Sequence, residues 1–158
     1  MGHRAAWRQR NPEGTLTPTP SQTVGPFFGF ALPFEGDAVA EPDAIRVEGQ
    51  LLDGAGEPVA DALVEASQGG QFARCRTDGE GAFHFLIAKP DEGFFDIVVF
   101  ARGLLRHLNT RMYFPDAEDA VLSAVAAARR RTLVARREGE VLRFDIRLQG
   151  EDETVFFA

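Results

Sequence analysis

The residues of this 158-residue chain that could build a metal centre or a nucleophile are few: three histidines, one cysteine, one tyrosine and a scatter of acids. His3, His84 and His107 stand far apart, with no HxH or HxxxH spacing that would aim two imidazoles at one ion. His84 alternates with Phe83 and Phe85 in GAFHFLI, which puts it on the solvent or partner side of a strand, and His107 in LLRHLN is no better placed as a ligand. Cys75 has the alternating neighbours of a strand and reads as a sheltered thiol. Being alone, it excludes an internal disulfide and a thiolate-rich metal site. No serine lies in a GxSxG elbow. Asp116, Glu118 and Asp119 open a helical stretch and complement its dipole, Arg129, Arg130 and Arg131 close it at the negative pole, and Glu151, Asp152 and Glu153 read as a solvated turn. The net charge of -7 argues against a nucleic-acid partner. Residues alone therefore yield no self-contained catalytic set.

The elements that would position any site are mostly strands. IRVEGQLLD places Ile45, Val47, Gly49 and Leu51 on one side and Arg46, Glu48 and Gln50 on the other, the period-two pattern of a half-buried strand. After the DGAGEP turn, VADALVEASQ, GQFARCRTD and GAFHFLIAK repeat the scheme, with TDGEG between the last two, which predicts a sheet built from hairpins. Phe94 to Phe100 is the most apolar strand and predicts a central position with burial on both faces. LLRHLNTRMYFP reads as extended, and DAEDAVLSAVAAARRR, near residues 116–131, as one short helix. TLVARREG and EVLRFDIRLQG pair as strands across the turn at REGE, and ETVFFA is a closing strand. Seven to nine strands with a single helix predict an all-β fold, a β-sandwich whose fourteen phenylalanines fill the space between sheets. The expected organisation is a disordered extension or misplaced start over 1–16, an extended arm over 17–44 and the sandwich over 45–158. No apolar run approaches the roughly 20 residues of a membrane span, and the basic N-terminus lacks the apolar stretch of a signal peptide, so the expected location is cytoplasmic.

TPTPSQTVGPFF at 17–28, FARG at 100–103, TRMYFP at 110–115, RRTLVARRE at 130–138 and RFDIRLQGEDETVFF at 143–157 together resemble, in the same order, the alpha chains of the protocatechuate 3,4-dioxygenase family of intradiol ring-cleavage dioxygenases. The resemblance runs from about Thr17 to Ala158. It implies a heteromer of two homologous chains. The beta chain holds Fe(III) through two tyrosines and two histidines and cleaves protocatechuate with O2 to 3-carboxy-cis,cis-muconate, and the alpha chain has no iron.

Aligned on FARG, Phe94 and Asp96 stand where the two histidines would be, one tyrosine ligand falls near Phe72, and the loop of the other is cut to KPDEG. Tyr113 lies in a block common to both chain types and is not a ligand position. The resemblance thus implies no catalytic residues and no metal ligands here. It implies a substrate-binding contribution from Thr23, Gly25, Pro26 and Arg102, which line the cleft completed by the partner's iron site. A guanidinium suits the substrate carboxylate, and a Gly-Pro backbone permits close approach to a flat ring. The implied partners are the iron-binding beta subunit, protocatechuate and O2, in a higher hetero-oligomer. The alternative is a stand-alone β-sandwich binding module that lost dioxygenase function. Departures from the pattern are a shortened stretch over 66–93, Phe27 after Gly-Pro where tyrosine is usual, and FPD in place of FDD after TRMY.

Overall fold

The computed structural model describes Leu32 and residues 35–157. Nine strands occur among these residues: β1 Ile45–Leu52, β2 Leu63–Gln68, β3 Gln71–Arg76, β4 Ala82–Ile87, β5 Phe94–Phe100, β6 Leu108–Tyr113, β7 Arg136–Glu138, β8 Val141–Arg143 and β9 Ile146–Arg147. They form two sheets, one ordered β4-β1-β8-β7 with β9 also pairing β1, the other ordered β3-β2-β5-β6. Residues from the facing sides of both sheets make one core, Val47, Leu51, Phe83, Phe85 and Leu142 from the first against Val64, Ala66, Phe95, Ile97 and Met112 from the second. This is the expected β-sandwich.

The alternation read in β1 is realised, with Val47 and Leu51 buried and Glu48 and Gln50 on the outer side. Gly49 shares the inward face because nothing larger fits. A Cβ there would lie 1.9 Å from the Phe144 carbonyl oxygen and 2.4 Å from the Phe83 ring. Only part of the hairpin expectation holds. β2 and β3 form a hairpin, but TDGEG carries the chain from β3 in one sheet to β4 in the other. Asp78 fixes that crossover by accepting from the amides of Glu80 and Ala82, both at 2.9 Å.

β5 is an interior strand, as its composition predicts, but it is fully buried on one face only. Phe95, Ile97 and Val99 point into the core, while Phe94, Asp96, Val98 and Phe100 are half-buried on the outside. β7 and β8 pair across REGE as expected. EVLRFDIRLQG is two strands rather than one, because the ladder to β1 is interrupted at Phe144 and Asp145, although the register is the same on both sides of the gap. The Asp145 carboxylate replaces a ladder carbonyl there, accepting from the Gln50 amide at 3.0 Å.

The expected helix is also divided. α1, Ala120–Ala124, is capped by Asp119, which accepts from the Leu122 amide at 2.6 Å, and α2 covers Ala127–Arg130. The break falls at Val125, whose backbone is extended (φ -72, ψ 138). Arg130 satisfies the carbonyls freed there, donating to Ser123 and Val125 at 2.7 and 2.9 Å, in keeping with the end-of-helix role expected of the arginine run. ETVFFA is not a strand. It leaves the first sheet at Thr154, whose amide donates to Arg147, and touches the edge of the second at Phe157, whose amide donates to Asn109.

Candidate active site and its degenerate centre

Cross-strand register brings Phe72, Phe94 and Asp96, three positions that the resemblance aligns with iron ligands, onto one face. Phe72 pairs with Ser67, Ser67 with Asp96, and Asp96 with Arg111, so these four form a row across the outer face of the four-stranded sheet. Phe94 lies two residues from Asp96 on the same face and pairs with Tyr113. Phe72, Phe94 and Asp96 thus share one face of β3, β5 and β6 with Arg111.

That face carries a guanidinium site. Arg111 donates from Nε to Asp96 at 3.0 Å and from Nη1 to Asp119 at 3.3 Å, and its guanidinium carbon sits 4.0 Å from the centroid of the Phe94 ring. Nη1 also donates to the Tyr113 hydroxyl at 3.3 Å, and that hydroxyl donates on to Asp119 at 3.1 Å. Burial works against the Arg111 charge, but the bonds to Tyr113 and Asp96 outweigh it and hold its pKa above the ordinary value. Burial, with Asp119 beside it, pushes the Tyr113 phenol up, the opposite of what a phenolate ligand needs. Asp119 thus joins its capping role to a role in this cluster, whereas Asp116 pairs with Lys89 at 2.6 Å.

These residues do not fit Fe(III). Phe72 and Phe94 offer no donor atom, Asp96 is engaged by a permanent cation, and a ferric ion beside Arg111 would meet like charge. Among the described residues no three His, Cys, Asp or Glu side chains gather in a group able to hold a metal. His84 is half-buried on β4, opposite Glu48, and its pKa is lowered by burial and by Arg46. His107 is exposed and meets the Phe100 ring in a tilted contact with centroids 5.5 Å apart, and Cys75 is a sheltered thiol whose pKa burial pushes up. Sequence reasoning missed Arg111. Its signal was the register that TRMYFP acquires once β6 is paired with β5.

Of the four residues expected to bind substrate, Thr23, Gly25 and Pro26 lie outside the described residues. Arg102 follows β5 in a turn where the Leu104 amide donates to Ala101 at 3.3 Å and Gly103 takes φ +86. The Arg102 side chain is exposed and hydrogen-bonds to no described residue. The Asp61 carboxylate, held below its usual range mainly by Arg76, also feels its charge. Arg102 does not join the degenerate centre. Phe94 opens β5 and Arg102 lies just beyond the other end, a strand length of about 20 Å away.

No family model matches the sequence. The protocatechuate 3,4-dioxygenase alpha chain of Burkholderia cepacia is 36% identical over an alignment of 193 positions covering 90% of this chain and 98% of that relative. The alpha chain of Pseudomonas putida is 35% identical, covering 90% and 96%. Both alignments are longer than the chain, so the relatives carry segments that it lacks. A Burkholderia cepacia protocatechuate 3,4-dioxygenase beta chain is 29% identical over 71% of this chain and 67% of its own. Among solved structures, the dioxygenase domain of a Streptomyces dioxygenase–carbohydrate-binding fusion superposes with TM-score 0.52 at 21% identity, covering 85% of this chain and all of that one. Hydroxyquinol 1,2-dioxygenase from Pseudomonas putida gives 0.53 at 16%, covering 70% and 59%. These likenesses show the fold. With two alpha chains matched over nearly their whole length, the chain belongs to the protocatechuate 3,4-dioxygenase alpha-chain family and is a subunit of an intradiol dioxygenase.

Proposed function

We propose that this chain is the iron-free alpha subunit of a heteromeric protocatechuate 3,4-dioxygenase, completing the substrate cleft of a homologous beta subunit. The Fe(III) on the beta subunit supplies the chemistry that cleaves protocatechuate with O2 to 3-carboxy-cis,cis-muconate, and no step of it passes through the Phe94–Asp96 centre of this chain. Arg102 gives the substrate carboxylate a fixed positive charge, and Thr23, Gly25 and Pro26, on an arm over residues 17–44, form part of the cleft wall.

The observation that carries this reading is the separation of Arg102 from the chain's own degenerate centre. An exposed arginine about 20 Å from the Phe94–Asp96 centre does not complete it. An interface between two homologous sandwiches leaves Arg102 free to serve the partner's centre instead of this chain's own. The likeness to a beta chain, named as such, supports a partner of the same fold.

Co-expression with a beta chain tests the reading. The expected product is a stable hetero-oligomer with iron stoichiometric to the beta chain, active on protocatechuate, and the alpha chain purified alone contains no stoichiometric iron. Ring cleavage by the chain alone would refute the proposal, and a chain that never co-purifies with a beta subunit would favour a stand-alone binding module.

A further inference from the structure

A cleft of about 440 Å³ opens beside β8 and β9, within the roughly 300–1,000 Å³ typical of small-molecule sites. It is lined by Arg131, Arg136, Arg143 and Arg147, by two carboxylates, Asp145 and Asp152, and by Leu52, Val134 and Phe144. The carboxylates do not balance the guanidinia. Asp152 is taken by Arg131 at 2.6 Å. Asp145 is shared by Arg143 at 2.7 Å and Arg136 at 3.3 Å, and also accepts from the Gln50 amide. Glu138 approaches Arg136 only at 4.0 Å, outside the lining. Arg147 pairs with no carboxylate among the described residues. Its Nη1 rests beside the Gly56 turn, where a Cβ would come within 3.5 Å. The lining thus keeps a formal excess of two positive charges in a chain whose net charge is -7.

We infer that this cleft binds a small organic polycarboxylate. Arg147 takes one carboxylate, Arg136, which has only a share of Asp145, takes another, and the carbon skeleton lies on Leu52, Val134 and Phe144. Guanidinium favours this class because it is permanently charged and matches carboxylate oxygens in pairs, and the apolar lining selects an organic body over a compact inorganic anion. A monocarboxylate satisfies one guanidinium and leaves the other without a ligand carboxylate. The site uses the arginines and Asp145 of the RRTLVARRE and RFDIRLQG blocks, which the cleft-completing role leaves unexplained, and it does not depend on that role.

The test is calorimetric titration of the full chain, alone and assembled with a beta subunit, against trimesate, citrate, benzoate and inorganic phosphate. Trimesate and citrate are expected to bind saturably at one site per chain, at least about tenfold more tightly than benzoate or phosphate. Arg147→Gln is expected to weaken trimesate about tenfold without moving the unliganded melting temperature, and Arg136→Gln to weaken it in the same direction. Absence of saturable binding, equal affinity for phosphate, or an affinity unchanged in both variants would overturn the inference.

Discussion

Replacing Arg111 by methionine removes the cation from the degenerate centre while keeping most of its hydrocarbon stem. In the wild type this side chain is 25% exposed, makes ion pairs with Asp96 and Asp119, donates to Tyr113 and covers Phe94 at 4.0 Å. Exposed ion pairs are worth about 0.2–1 kcal/mol each, a cation–π contact about 0.5–2 kcal/mol, and Asp119, 26% exposed, is left with less compensation. The expected loss is about 2–3 kcal/mol. For a chain of this size that lowers the melting temperature by roughly 4–12 °C. Chemical denaturation of Arg111→Met, Asp96→Asn and the double variant closes a mutant cycle, with an expected coupling of about 1 kcal/mol for the pair at 3.0 Å. Additivity within about 0.3 kcal/mol would refute the claim that the centre is held by this charge pair.

Gly49→Ala is expected to destabilise the fold by about 3 kcal/mol or more, read by the same denaturation, since its Cβ would lie 1.9 Å from the Phe144 carbonyl oxygen, a backbone atom that cannot step aside. The His84 pKa is depressed in the folded chain, mainly by burial and then by Arg46, so the unfolded chain binds the proton more readily. Stability is therefore expected to fall as pH drops from about 6.5 toward the folded value, and His84→Gln is expected to flatten that part of the stability–pH curve.

Alternation was legible wherever a strand has one wet face. β1 and β4 show it residue by residue, since Val47, Leu51, Phe83, Phe85 and Ile87 all turn inward. Phe94 to Phe100 misled because an apolar run reports burial without saying against what. Its outer face is half-covered by Arg111 and its neighbours instead of by a second sheet. The helix divided because composition cannot register that Val125 turns extended while a distant guanidinium caps the open carbonyls. ETVFFA has strand composition but spans from one sheet to the other, so neither ladder claims it. At the candidate site, the lack of donor atoms at Phe72 and Phe94 was visible directly. The occupation of the centre by Arg111 was not, because that contact depends on the pairing of two strands.

The account turns on Arg102 serving a site that this chain does not contain. The direct measurement is steady-state cleavage of protocatechuate by the enzyme reconstituted with Arg102→Ala and a wild-type beta subunit, with iron assayed on the same sample. Loss of one charge-assisted pair to the substrate carboxylate, worth about 1.5–3 kcal/mol, predicts a KM raised by roughly ten- to a hundredfold at unchanged iron content. An unaltered KM would remove Arg102 from the cleft and contradict the account.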